Sequence, residues 1–118
     1  MAAGSPPETF KRRADFLRMA AKGRKLVKPG FVMQVLTQGG AGGEAGSLRI
    51  GYTATKKIGN AVVRNRARRR LKEAARLVLA RRELAGVELV LICRQETAKL
   101  PFTKLRENLE LALNEAVK

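Results

Sequence analysis

Histidine is absent from this sequence, and cysteine occurs once, as Cys93. An intrachain disulfide and a Cys/His zinc site are therefore both excluded. Cys93 lies in the apolar run 87–93, where a lone cysteine is typical of a small buried hydrophobic residue. Aromatic residues make up only 4% of the chain, and tryptophan is missing. A core must accordingly be built mainly from Leu, Val, Ile and Ala.

Long apolar runs are also lacking. No stretch of 18 or more apolar residues is present, so the sequence predicts no membrane-spanning helix. Residues 1–7 lack the basic start and apolar stretch of a signal peptide. We therefore expect a cytoplasmic protein without a membrane partner. We also expect a disordered tail over residues 1–8 and one domain over residues 9–118, since 118 residues suffice for about one domain.

Acidic residues are scarce. The chain has 10 Asp and Glu against 25 Lys and Arg, which gives a net charge of +15. Self-repulsion of this size opposes folding, and it is typical of proteins whose partner is a polyanion. Composition alone does not separate RNA from DNA.

The order of apolar patterns predicts an α+β sandwich. A short helix near residues 13–22 is followed by strands over residues 30–37 and 48–55, with a glycine-rich connector at 38–46. A long helix over residues 60–81, a nearly continuous apolar strand over 87–93 and a helix over 102–117 complete the chain. This order of helix, strand, strand, helix, strand, helix indicates helices packed on a small mixed sheet.

The long helix carries most of the charge. Asn60 is suited to cap its N-terminus. One apolar stripe along it should face the sheet and comprises Val63, Ala67, Leu71, Ala74 and Val78. Another face carries Arg64, Arg68, Lys72 and Arg76 at intervals of four, flanked by Asn65 and Arg69. Arg70 falls near the apolar stripe, so we expect it to pack its methylene groups or to find a buried partner.

Residues 56–82 hold eleven basic side chains and a single acid, Glu73. A merely solvated helix face would mix Glu with Lys, because like charges four residues apart oppose helix formation. Arginine also outnumbers lysine in the helix, and its planar guanidinium binds phosphate through two hydrogen bonds. The pattern therefore favours a polyanion-binding face over a solvated one.

The segment 56–72, KKIGNAVVRNRARRRLK, resembles the signature of the bacterial ribonuclease P protein family, K-K-x-G-N-A-V-x-R-N-R-x-[KR]-R. Every fixed position of that signature is met. The remainder of the chain, roughly residues 9–117, agrees more loosely. The resemblance implies an αβ sandwich with a left-handed crossover between parallel strands, although such connections are right-handed in about 98% of cases.

The resemblance also implies a division of labour. A catalytic RNA subunit would perform the hydrolysis with Mg²⁺, which it would mainly bind itself, and remove the 5′ leader of precursor tRNA. The protein would bind that RNA through its Arg/Asn-rich helix. The residues implied for RNA contact are Lys56, Lys57, Asn60, Arg64, Asn65, Arg66, Arg68, Arg69 and Lys72. No catalytic or metal-binding side chain and no obligate protein partner are expected from this chain.

A cleft between the first helix and the sheet is implied to hold the single-stranded leader. The residues expected there are Arg12, Arg13, Phe16, Phe31 and Gln34. Aromatic stacking over a basic groove is the usual way to hold a single strand. Phe16 and Phe31 are, however, equally compatible with a place in the core.

Three other classes remain to be weighed. A ribonuclease that acts without an RNA subunit would need its own acid and base, but histidine is absent and no pair of carboxylates appears at a suggestive spacing. A non-catalytic RNA-binding protein of the ribosomal type would share this size and charge but would not explain the full arginine–asparagine signature. A DNA-binding protein that used the long helix would need a helix-turn-helix partner before it. The sequence predicts a strand at that place.

Overall fold

A computed structural model of the chain describes residues 8–10, 13–37, 48–80 and 87–116. Its helices and strands follow the order β1 (Glu8–Thr9), α1 (Arg13–Lys22), β2 (Arg24–Lys28), β3 (Phe31–Thr37), β4 (Leu48–Thr53), α2 (Ala61–Leu79), β5 (Val87–Cys93) and α3 (Phe102–Ala116). The α+β class and the order of the six larger predicted elements are confirmed. Residues 1–7 of the predicted tail and the predicted connector 38–46 lie outside the described residues.

Two strands were missed from the sequence. β2 pairs antiparallel with β3 at one edge of the sheet, and three of its five residues are basic. Basic side chains are typical of edge strands because they oppose pairing with other chains. At the other edge β1 pairs in parallel with β4, with Glu8 opposite Arg49. The assignment of Glu8 to a disordered tail was therefore wrong.

The five strands form one mixed sheet in the order β1-β4-β5-β3-β2. β4 and β5 are parallel neighbours, and α2 connects them along the chain. β3 lies antiparallel on the other side of β5. The central strand β5 has a neighbouring strand along each edge. Helices α2 and α1 pack on its two faces, and this burial of both faces explains its nearly continuous apolar sequence. The left-handed course of the β4–α2–β5 crossover remains a prediction.

Helices cover the two faces of the sheet unequally. α2 and α3 pack together on one face, where alternate residues of β3 and β5 point into the main core. The fully buried side chains there include Phe31, Met33, Ala67, Leu71, Leu89, Leu91 and Leu105. On the other face α1 lies over only part of the sheet and buries Met19 against Phe10 and Val90. The fold therefore has three layers, and one of them is incomplete.

Within the described residues, no helix combines the length and hydropathy required to cross a membrane.

Candidate nucleic-acid interface

The N-terminus of α2 is built by a glycine and an asparagine of the basic segment. Gly59 has φ of 146°, and a Cβ atom on it would lie 2.9 Å from the Cβ of Val63. A side chain at this position would therefore be strained and crowded. Asn60 caps the helix, as predicted, because its Oδ1 accepts a hydrogen bond of 3.0 Å from the backbone N–H of Val63. That oxygen is committed to the helix, so the amide nitrogen of Asn60 is the group left for a ligand.

The two signature lysines precede this cap in a single 3₁₀ turn, Lys56–Ile58. Both lysines are exposed. The turn is tied to the start of the segment before α3, because Gln95 donates from Nε2 to the backbone carbonyl of Lys57 at 3.3 Å. Lys56 and Lys57 therefore lie beside the positive N-terminal end of α2, where the helix dipole also favours an anion.

Six polar side chains on the first three turns of α2 form what we call the basic face: Arg64, Asn65, Arg66, Arg68, Arg69 and Lys72. Asn65, Arg66, Arg69 and Lys72 are exposed, whereas Arg64 and Arg68 are half-buried. Within the described part of the chain, no carboxylate lies within salt-bridge distance of any cation of this face. The one hydrogen bond found among its side chains joins Arg68 to Asn65 Oδ1.

Other arginines of α2 have partners within the protein. Arg70 donates to the backbone carbonyls of Thr97, at 2.6 Å, and Leu100. This confirms the expectation that Arg70 finds a buried partner. Arg76 pairs with Glu73 one turn before it, and the hydrogen bond from Arg76 lowers the pKa of that carboxyl. Glu73, the sole acid of α2, thus neutralises Arg76, which lies beyond the basic face, and leaves the charge of the basic face itself unchanged.

The residues predicted to hold a leader do not all share one surface. Phe31 is fully buried in the main core, on the sheet face that α2 and α3 cover. Its assignment to the leader cleft is therefore wrong: alternation along β3 turns its ring away from α1. Arg12 lies outside the described residues.

The other three predicted residues lie on the α1 side of the sheet. Arg13 is exposed at the start of α1. Phe16 is half-buried against β4, where it packs so close to Gly51 that a Cβ atom there would lie 2.7 Å from its ring. Gln34 is 8% exposed on β3.

Beyond α1, part of this sheet face is uncovered. Four residues in register across four strands form what we call the open row: Thr53, Ile92, Val32 and Val27. Val27 is 59% exposed, and the other three are half-exposed. The row runs beside the next one, which contains Gln34 and Lys25. The open row therefore presents a partly exposed surface with Gln34 and Lys25 in the row beside it, and Phe31 is not part of this surface.

A buried ion-pair cluster holds α1 to the sheet. Glu88, which is 1% exposed, accepts two hydrogen bonds from Arg18, at 2.6 and 2.9 Å, and one from Arg49 at 2.8 Å. Arg49 also donates to Asp15 at 2.9 Å. The hydrogen bonds from Arg18, more than the single one from Arg49, hold the pKa of Glu88 below its usual value against the effect of burial. We call these four residues the Glu88 cluster.

Sequence reasoning missed this cluster because Glu88 occurs within an apolar run. The signal was present: a single acid inside a buried strand requires a cation opposite it. Its guanidinium partners come from α1 and β4, far from it along the chain. No pattern in the sequence pairs residues over such a separation.

Metal-ligating side chains are dispersed in the described residues, where no three of Asp, Glu, Cys or His gather at one place. Asp15 and Glu88 are already occupied by guanidinium groups.

The partly covered mixed sheet and the acid-free row of cations define a small basic α+β protein with a surface suited to a polyanion. Residues 5–117 match the model of the protein family described as Ribonuclease P. The chain belongs to the ribonuclease P protein family.

Relatives and solved structures agree with this membership. The chain is similar to the ribonuclease P protein component of Paramagnetospirillum magneticum, at 46% identity over 90% of this chain and 80% of the relative. It is 48% identical to that of Gluconacetobacter diazotrophicus over 91% of this chain and 89% of the relative. Its fold resembles the RNase P protein of Staphylococcus aureus, with a TM-score of 0.75 at 25% identity over 95% and 97% of the two chains. For the RNase P protein of Thermotoga maritima the TM-score is 0.71 at 27% identity over 94% and 98%.

Proposed function

We propose that this chain is the protein subunit of a ribonuclease P ribonucleoprotein and that its basic face binds the catalytic RNA. The membership of the family supports the first part, and the relatives' name, ribonuclease P protein component, supports it further. The ribonuclease activity belongs to the assembly of this chain with an RNA subunit, which acts on precursor tRNA. The RNA carries out the hydrolysis and mainly binds the Mg²⁺ that it uses.

One observation carries the second part: the cations of the basic face lack carboxylate partners, whereas most other described arginines have partners within the protein. Each arginine of the face presents a planar fork of N–H donors that matches a phosphate. Asn65 lies between them and offers its amide to a base edge or a ribose hydroxyl. Lys56 and Lys57 extend this surface beyond the N-terminus of the helix.

The protein contributes position and charge to the reaction. Cations held on a rigid helix neutralise phosphates without reorganising at the moment of reaction. A substrate held against the catalytic RNA also loses less entropy in reaching the reactive geometry. Both effects raise the rate and lower the concentration of Mg²⁺ needed, since protein cations replace part of the ion atmosphere.

The direct test is cleavage of precursor tRNA by the catalytic RNA over a range of Mg²⁺ concentrations, with and without the full chain. We expect the chain to lower the Mg²⁺ requirement. An Arg64→Ala/Arg66→Ala variant should lose most of this effect. Arg106→Ala is the matched control because it removes an exposed arginine from α3. An unchanged rate and Mg²⁺ requirement in the presence of the chain would contradict the proposal.

The same cleavage assay, together with a measurement of RNA affinity, distinguishes the proposal from the alternative of a ribosomal-type RNA-binding protein. That alternative predicts equal affinity for ribosomal RNA and for the catalytic RNA, and no effect on cleavage. The proposal predicts a clear preference for the catalytic RNA at the same salt concentration. Neither family membership nor the relatives' names favour the ribosomal alternative.

We further propose that the surface along the open row holds the 5′ leader of precursor tRNA. The supporting observation is the partly uncovered row beside α1, with Lys25 exposed in the next row of the sheet. With Phe31 in the core, Phe16 is the remaining aromatic of the predicted set, and it is half-buried. Contact with the leader would accordingly depend on van der Waals packing and on basic groups more than on stacking.

A charge placed on the open row tests this assignment. Val27→Asp should weaken the binding of precursor tRNA to the holoenzyme, because it places a negative charge beside the leader phosphates. Binding of mature tRNA, which has no leader, should be unaffected. Leu111→Asp is the control, since Leu111 is 55% exposed on α3, on the opposite face. Equal losses for precursor and mature tRNA would place the leader elsewhere.

A further inference from the structure

A hollow at the edge of the sheet lies beside the basic face. β1 is only two residues long, while β4 is six, so β1 pairs with only part of the outer edge of β4. Phe10 continues the pairing by one residue, because its N–H donates to the carbonyl of Ile50 at 2.9 Å. Where this pairing ends, α2 and the edge of β4 enclose an open hollow of about 360 Å³. That volume lies at the lower end of the range for small-molecule sites, roughly 300–1,000 Å³.

Two aromatic side chains form one part of the lining. Phe10 is held in place by the guanidinium of Arg49, 4.7 Å from its ring centroid, and by an edge-on contact with Phe16 at 5.4 Å. Tyr52 is half-buried, and its hydroxyl has no hydrogen-bond partner in the described part of the chain. Burial raises the pKa of Tyr52 to about 12. The hydroxyl therefore stays protonated at neutral pH and is available as a donor.

Three cations of the basic face form the other part: Arg68, Arg69 and Lys72. Arg68 is oriented by its hydrogen bond to Asn65. Arg69 and Lys72 are exposed and lie outside every ion pair found in the described residues. A hollow that only packed against another protein would not require three adjacent cations, and a phosphate site alone would not require aromatic walls.

We propose that this hollow takes one unpaired nucleotide of the bound RNA, with its base against the ring of Tyr52 and its phosphate on Arg69 and Lys72. Bases stack on aromatic rings, and guanidinium and ammonium groups bind phosphate. The nucleotide must be unpaired, because a base inside a duplex is stacked on its neighbours and cannot lie on a protein ring. The inference rests on the proposed function for the identity of the RNA. It adds a site for a base to a surface otherwise suited to phosphates.

Tyr52 supplies its own reporter because it is the one tyrosine in the sequence. Its ring proton signals can therefore be followed by NMR in the full chain without ambiguity. We expect adenosine 5′-monophosphate to shift these signals saturably, as a stacked base does through its ring current. Ribose 5-phosphate, which lacks the base, should bind about 5- to 150-fold more weakly, which is the scale of stacking one base. Adenosine, which lacks the phosphate, should also bind more weakly.

Variants place the binding in the hollow. Arg69→Ala/Lys72→Ala should weaken the binding of the nucleotide while leaving the ring signals of Tyr52 in place. These side chains are exposed, so their loss should not unfold the protein. Arg106→Ala, which removes the same kind of charge from α3, should bind as the wild type does. In binding to RNA, Tyr52→Leu should lose affinity, and Tyr52→Phe should retain most of it.

Equal affinity for adenosine 5′-monophosphate and ribose 5-phosphate would overturn the proposal and leave only a phosphate site. Ring signals of Tyr52 that do not respond to the nucleotide would also overturn it. Either result is compatible with stimulation of cleavage by the chain, so the proposed function would stand. Conversely, failure of the chain to bind the catalytic RNA would contradict the proposed function, whatever the result of the nucleotide titration.

Discussion

Arg18 and Arg49 in the Glu88 cluster can be compared with the arginines of the basic face. In the cluster every guanidinium meets a carboxylate at 2.6 to 2.9 Å, and the acid at its centre is buried. On the basic face the guanidinium groups lie side by side along one helix without an acid. The first arrangement serves the fold, because it attaches α1 to the sheet. The second opposes the fold, because like charges on one helix repel, and we infer that its use lies in the partner.

The largest expected effect comes from breaking the cluster. Glu88→Gln keeps the size of the side chain but leaves two arginines without their central charge. Breaking a fully buried ion pair costs about 3–5 kcal/mol. The side chains of Arg18 and Arg49 are 34% and 25% exposed, so solvent screens part of this loss. We expect a decrease of about 2–3 kcal/mol in the free energy of unfolding by urea.

The matched control is Glu73→Gln, which breaks an exposed ion pair on α2. It should leave the urea midpoint unchanged within error. If both variants lost the same stability, the distinction between structural charges in the Glu88 cluster and functional charges on α2 would be wrong.

A second effect follows from the lowered pKa of Glu88. A carboxyl whose pKa is lower in the folded protein adds stability above its unfolded pKa, and that stability is lost as the pH falls through the folded value. The wild type should therefore lose stability steadily as the pH falls below about 4.5, the usual pKa of a glutamate carboxyl. Urea unfolding between pH 7 and pH 3 should show the difference between wild type and Glu88→Gln narrowing with falling pH. A difference independent of pH would contradict the role of the charge.

A small effect of opposite sign is expected on the basic face. Arg66 is exposed, and Arg69 and Arg70 lie three and four residues after it. Arg66→Ala removes the repulsion between Arg66 and these two arginines, and it introduces alanine, the best helix former. The free energy of unfolding should therefore rise by about 0.2–0.5 kcal/mol per like-charge pair. The same variant should bind the catalytic RNA more weakly. A loss of stability in thermal unfolding would show that Arg66 has a structural partner instead.

The sequence predicted α2 well because its signals are local. The cap at Asn60, the buried stripe through Leu71 and the inward Arg70 all follow from helical geometry and neighbouring residue types. β5 was predicted for a similar reason, since the nearly continuous apolar run 87–93 fits a strand buried on both faces. The signature of the family further indicated the helix face that we propose binds RNA.

The features that were missed depend on contacts distant along the chain. β2 has only two apolar residues, and it becomes a strand because β3 offers it an edge. The burial of Phe31 depends on which face of the sheet α2 and α3 cover. Alternation along β3 separates its residues into two faces, but it does not tell which face these helices cover. The hollow beside Tyr52 exists because β1 ends early, which no local pattern in β4 reveals.

The salt dependence of binding tests the central claim most directly. The affinity of the full chain for the catalytic RNA should be measured between 50 and 200 mM salt for the wild type, Arg64→Ala and Arg68→Ala. If each guanidinium contacts one phosphate, each variant should reduce the slope of log affinity against log salt by about 1. Arg106→Ala should keep the wild-type slope. Wild-type slopes in both α2 variants would show that the RNA is bound elsewhere on the protein.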